Sequence, residues 1–95
     1  MFSVDECKII FLNFLKLSTK YSDRTVKSYE IDLTQFINFF KEHTEDDKPE
    51  INAVDGAYIV SFKEEITAKG LKNSTIARKL TALRTFFGFL CCEKI

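Results

Sequence analysis

Apolar residues recur along most of this chain at three- and four-residue intervals, and nowhere alternate as a strand would. The clearest run is Leu71 to Leu90. Ile76, Leu80, Leu83, Phe87 and Leu90 follow four-three-four-three spacing and make one apolar stripe on a helix. Ser74, Arg78, Thr81 and Thr85 fall on the opposite side, with Lys79 and Arg84 on the flanks. Phe86 and Phe89 lie off the stripe, Phe89 near the polar side. Asn73 or Ser74 is placed to cap the start, accepting from unpaired backbone N–H groups. A second long pattern runs to about His43, with Ser22 or Asp23 as its cap. Val26, Tyr29, Leu33, Phe36, Ile37 and Phe40 form its inner face, and Arg24, Lys27, Ser28, Gln35 and Asn38 its outer one. Ile31 and Phe39 lie nearer the polar side, so part of that side is expected to be covered.

Two shorter elements complete the pattern. Ser3-Val-Asp-Glu6 has the form of a capping box opening a helix to about Leu17 or Thr19. Ile9, Ile10, Leu12, Phe14, Leu15 and Leu17 are too many for a narrow stripe, so this helix is expected to be gripped on more than one side, with Lys8 and Lys16 at its wet edge. Asp55 is placed to cap another helix, with Ile59, Phe62 and Ile66 as its stripe, Tyr58 beside it, and Gly70 as the left-handed residue at its end. Only Leu71 and Lys72 separate it from the last helix, which predicts a tight helical hairpin. Glu42 to Asn52 is the one long loop. Pro49 pushes the residue before it out of helical geometry, and this acidic stretch is expected to be the most mobile internal segment. The fold class is therefore all-α, a four-helix bundle.

Composition changes this picture little, and charge changes it more. Ninety-five residues, 45% hydrophobic with a single proline, make one ordered domain, residues 1–95. Ten phenylalanines and no tryptophan point to a core of Phe, Leu and Ile. Net charge is zero, but it is sorted. Glu42 to Glu50 holds five acids and one lysine, while Ile66 to Cys92 holds Lys69, Lys72, Arg78, Lys79 and Arg84 and no acid. Such a dipole can orient a neutral domain on a polyanion. Cys7, Cys91 and Cys92 match no metal spacing and read as free thiols in a reducing compartment. Asp5 and Glu6 sit where a secretory leader needs basic residues, and no stretch is long enough to span a membrane. A cytoplasmic location is expected.

No catalytic set emerges. His43, the only histidine, falls at a predicted helix end, where a cation suits the dipole. Asp46-Asp47 and Glu64-Glu65 are adjacent pairs whose side chains diverge. Tyr21, Tyr29 and Tyr58 lack an evident base, and the three glycines form no phosphate loop. Neither a cofactor nor a metal site is expected. What remains is a basic, hydroxyl-bearing face. Arg24, Lys27 and Ser28 near one helix start resemble Ser74, Arg78 and Lys79 near another. If both starts face one side, their backbone N–H groups and dipoles also aim at phosphates.

The motif Ser22-x-x-Thr25-x-x-x-Tyr29-x-x-Asp32-Leu33-x-x-Phe36 resembles the opening pattern of the core-binding domain of tyrosine recombinases, the phage integrase and Xer-type family. Gly70-Leu71, then Ser74 through Phe87, then Leu90, is similar to that domain's closing helix. The resemblance covers nearly the whole chain. It implies a SAM-like bundle forming one arm of a clamp on double-stranded DNA, with the second and fourth helices across the major groove. A C-terminal catalytic domain of the same parent protein would form the other arm, and other recombinase protomers would join on the synapse. DNA contacts are then expected at Arg24, Thr25, Lys27 and Ser28, and at Lys72, Ser74, Thr75, Arg78, Lys79, Thr81 and Arg84. Arg24 and Arg78 suit base edges, because guanidinium bonds guanine bidentately. Lys27, Lys72, Lys79 and Arg84 suit phosphates. Tyr29 and Phe36 are expected in the core, with Asp32 holding a neighbouring helix. The family's catalytic Arg, His and Tyr have no counterpart here, so this chain is expected to cleave nothing. With Met1 as a native start it reads as the N-terminal piece of a longer integrase, the linker beginning near Glu93-Lys94-Ile95. A competing reading is a helical protein–protein interaction module without DNA binding, docking through the apolar end of the last helix. An enzyme in its own right is a third.

Overall fold

The computed structural model describes residues 2–93. Four helices follow in order: α1 (Val4–Leu17), α2 (Asp23–Thr44), α3 (Gly56–Ala68) and α4 (Asn73–Cys92), with a 3₁₀ turn at Ile51–Ala53. The all-α bundle stands as expected. Of the anticipated linker, Lys94 and Ile95 lie outside the described residues, as does Met1.

Local chemistry sets most boundaries. Glu6 N–H donates to the Ser3 hydroxyl at 3.1 Å, and Ser3 N–H to the Glu6 carboxylate at 3.0 Å, which closes the capping box. Ser22 caps α2 through Thr25 N–H, and Asp55 caps α3 through Ala57 and Tyr58 N–H. Gly70 takes a φ of 79° after α3, which a side chain would resist. The start of α4 differs from expectation. Neither Asn73 nor Ser74 caps it. The turn is so short that Lys72 is the extended residue before the helix, and no side chain caps the first turn.

The bond from the Ser3 backbone, then that with the Ser3 side chain, holds the Glu6 carboxyl below its ordinary value. A lowered folded-state pKa means a stabilisation that is present above the usual glutamate range and disappears as pH falls through the lowered value. Glu6→Gln should therefore flatten the acid limb of a melting-temperature-against-pH profile. An unchanged acid limb would contradict it.

The loop expected to be mobile is tied at its far end. Val4 N–H donates to the Pro49 carbonyl at 2.9 Å and Ile51 N–H to that of Phe2 at 3.0 Å, and Pro49 is fully buried. The loop thus stitches the chain's start to the approach to α3. At its near end α2 runs to Thr44 and stops at Glu45, whose φ is 54°.

Phenylalanine rings fill the interior. Phe36 meets Phe62 edge-on at 5.3 Å, with Phe39, Phe40 and Phe87 at 6.2–6.4 Å. Phe11 meets Phe86, Tyr29 and Phe89 at 5.3–5.7 Å. One expected face turns out rotated and another narrower. On α4 the buried residues are Ile76, Lys79, Ala82, Leu83, Phe86 and Leu90, while Leu80 and Phe87 are half-buried. A 3.6-residue period admits either neighbour at each step, and α1 and α2 cover the Lys79–Phe86 side more fully than α3 covers the other. On α1 the grip is one-sided: Val4, Cys7, Phe11, Leu12 and Leu15 are buried, whereas Ile9, Phe14 and Leu17 are exposed, Leu17 by 87%. Phe39 is covered, packing on Phe62, while Ile31 stays exposed. Tyr29 is half-buried at the core's edge.

Candidate nucleic-acid interface

Two helices distant in sequence build the site. The first half of α2 contributes Arg24, Thr25, Ser28, Tyr29 and Asp32, which three- and four-residue steps place on one face. Across from them α4 contributes Arg78, Thr81 and Ala82. Together they line an open cleft of about 440 Å³. Arg24 and Arg78 therefore share one cavity, with the hydroxyls of Thr25, Ser28 and Thr81 around them. At the cap of α2 the Ser22 and Thr25 hydroxyls lie 3.0 Å apart.

The only acid in the lining is Asp32, which is 2% exposed. Arg78 approaches it side-on: Nε donates to Oδ2 and Nη2 to Oδ1, both at 3.1 Å. Lys79 Nζ donates to Oδ1 at 2.9 Å and also to Gln35 Oε1. Both carboxylate oxygens are thus engaged, and among the described residues no buried side-chain nitrogen or oxygen lacks a partner. Two cations share one anion, so the group keeps a positive charge. The Arg78 side chain is 54% exposed, so half of the guanidinium arm remains at the surface.

The structure separates the other expected contacts. Lys79, expected at the surface facing phosphates, is instead 5% exposed, with its ammonium held inside by Asp32 and Gln35. A long stem at a position flanking the apolar stripe reads as a surface cation. Its burial depends on a carboxylate 47 residues away. Thr75 lines a different groove with Gln35, Asn38 and Lys69. Arg84 faces α3, beside Ile59, Val60 and Lys63. Lys27 is exposed beside the cleft and pairs with Glu30 at 3.2 Å. Lys72 and Ser74 are exposed at the uncapped start of α4, outside the cleft lining. Tyr29 and Ala82 line the cleft although neither belongs to the expected contacts. Helical spacing gives Tyr29 to the core, and Ala82 carries no polar group that would mark it.

The acidic loop lies at the other end of α2. Eighteen residues from Arg24 to Glu42 at 1.5 Å each put it roughly 27 Å away along the helix. Other chemistry is sparse. No group of three or more His, Cys, Asp or Glu could hold a metal ion among the described residues. His43 Nδ1–H donates to the Phe39 carbonyl at 3.0 Å, and the imidazole packs on the Phe39 ring. Burial, then the neighbouring Glu6 carboxylate, pushes the Cys7 thiol above its ordinary value and disfavours a reactive thiolate. No helix among the described residues is long and apolar enough to cross a membrane.

Residues 9–94 match the family model of the phage integrase N-terminal SAM-like domain. The chain belongs to this family. Relatives of this integrase domain include a tyrosine recombinase XerC of Thermodesulfovibrio yellowstonii, 39% identical over 83 residues, which are 87% of this chain and 25% of that protein. A tyrosine recombinase XerC of Halalkalibacterium halodurans is 32% identical over 90 residues, 95% of this chain and 29% of that protein. A tyrosine recombinase XerD of Oceanobacillus iheyensis is 31% identical over 85 residues, 90% and 28%. The integrase domain thus spans between a quarter and a third of the length of these relatives. No solved structure matches it significantly.

Proposed function

We propose that this domain grips double-stranded DNA through the α2–α4 cleft, as the core-binding arm of a tyrosine recombinase. The observation that carries the reading is the meeting of Arg24 and Arg78, from helices far apart in sequence, in one hydroxyl-lined cleft. Arg24 and Arg78 address base edges in the major groove. Thr25, Ser28 and Thr81 add hydroxyl contacts, while Lys27 beside the cleft, and Lys72 and Ser74 at the start of α4, fix register on phosphates. Cleavage and rejoining of strands would belong to a catalytic domain elsewhere in the parent protein, with further protomers completing the synapse. A net charge of zero implies modest affinity for the isolated domain, since few phosphates are neutralised.

The test is a salt series of binding to labelled duplex. Affinity should fall steeply with added salt. Arg24→Ala and Arg78→Ala should each weaken binding and flatten the log–log slope by about one if the lost contact is to phosphate. Arg78→Ala should fold normally, because Lys79 still neutralises Asp32. Arg84→Ala, on the α3 side, should change little.

A protein-interaction role keeps one observation in its favour, though not the expected one. Phe86 is fully buried, so the end of α4 offers less than its composition implies. Instead α1 exposes Ile9, Phe14 and Leu17, with Phe14 against Phe89 at 4.8 Å. Absence of duplex binding at low salt, or binding indifferent to salt, would favour that role over the DNA arm.

A further inference from the structure

We infer that Asp32 and Lys79 form a buried brace that positions Arg78 for DNA, with Asp32 as the positioning residue. The inference rests on the DNA reading of the cleft. Asp32 takes the side edge of the guanidinium, Nε and Nη2, and leaves the Nη1 donors and the outer Nη2 donor unengaged. Among the described residues Arg78 makes no other hydrogen bond with a side chain or ion pair with an acid. That free end has the geometry to meet two acceptors at once, such as the O6 and N7 of a guanine or two phosphate oxygens. A freely rotating arginine loses side-chain entropy when it docks, and an arginine already fixed by a buried carboxylate loses much less.

Asp32 alone would orient Arg78 but cancel its charge, which would blunt its attraction for DNA. Lys79 removes that defect. Its ammonium, itself buried, supplies the second cation on Oδ1, so the trio keeps a net positive charge and Arg78 stays attractive to an anion. Gln35 holds the lysine from the other side. This explains why a lysine is buried here: it is a counter-charge to the brace rather than a contact with DNA.

The brace and plain electrostatics give opposite signs for one substitution. Asp32→Asn removes a negative charge from the cleft, so electrostatics alone gives tighter DNA binding, whereas loss of the brace gives weaker binding. The probe is a short duplex that the wild-type chain selects from a randomised pool, followed by fluorescence anisotropy at fixed salt. Asp32→Asn with Lys79→Met, a double variant with unchanged net charge and no buried ions, guards against misfolding of the single variant. Both should lose roughly tenfold or more in affinity for the selected duplex while melting cooperatively. In the free protein, nitrogen-15 relaxation should show the Arg78 Nε–Hε group rigid in the wild type and mobile in both variants. Wild-type affinity or tighter in the folded double variant overturns the brace, as does a mobile Nε–Hε in the wild type. If the wild-type chain binds no duplex at low salt, the DNA reading itself has failed. In that case a rigid Arg78 would mark the trio as a structural ion cluster, and the positioning role falls with the DNA reading.

Discussion

Phe36→Ala is expected to cost about 3–5 kcal/mol of folding stability, the usual range for emptying a buried phenylalanine site. Phe36 is fully buried where α2, α3 and α4 meet, and four other phenylalanine rings lie around it. Truncation removes both the transferred surface and the edge-to-face contact with Phe62 at 5.3 Å. Rings are stiff and close-packed, so the hole closes poorly. A domain of this size has about 5–15 kcal/mol in total, so the variant should melt about 15 °C or more below the wild type. Urea denaturation followed by circular dichroism measures it. Leu80→Ala is the control. Apolar spacing ranks Leu80 with the core, yet it is half-buried at the α3 groove, and its loss should fall well short of that of Phe36. Equal losses would contradict the rotation found for α4.

Asp32→Ala is expected to cost a comparable amount, about 3–5 kcal/mol, for a different reason. Removing the carboxylate leaves the Lys79 ammonium buried with only Gln35 as a partner. The uncompensated charge, rather than the lost attraction, dominates the cost. Arg78 contributes little to the loss, because its exposed arm can turn to water. Adding Lys79→Met should therefore restore much of the stability, since a well-packed apolar replacement of a buried pair is often neutral. A thermodynamic double-mutant cycle measures this as a strong coupling between the two sites. Near-additive losses would mean that Lys79 reaches solvent along its own stem once Asp32 is gone.

These two residues also mark where the sequence stops being legible. Helix starts at Ser3, Ser22 and Asp55, and the turn at Gly70, could be read because each is decided by atoms within a few residues. The rotation of α4 could not. Lys79 and Leu80, or Phe86 and Phe87, satisfy the helical period equally well, and the choice is made by what α1 and α2 present. Lys79 looks like a surface cation until Asp32 arrives from 47 residues upstream. Asp32 did leave a trace, standing three residues after Tyr29 and four before Phe36 on an otherwise apolar face. A carboxylate in that register needs a partner, but nothing local names it. The cleft was legible in part: the likeness of the two helix starts pointed to Arg24 and Arg78, while Thr75, Lys79 and Arg84 share their chemistry but not their direction. The one-sided grip on α1 is not legible, because its apolar residues outnumber those that its neighbours can cover.

The separation of Arg24 from the acidic loop along α2 bears on how the molecule meets a polyanion. A body with no net charge feels little pull in such a field, but an acidic loop held at one end of α2 adds a torque, even with Lys69 sharing a groove with Glu42 there. On the DNA reading, collisions that arrive loop-first are turned away, and those that arrive cleft-first are held. On that reading the domain gives up long-range capture and gains alignment on arrival, a division of labour suited to a module whose proposed partner domain supplies the grip.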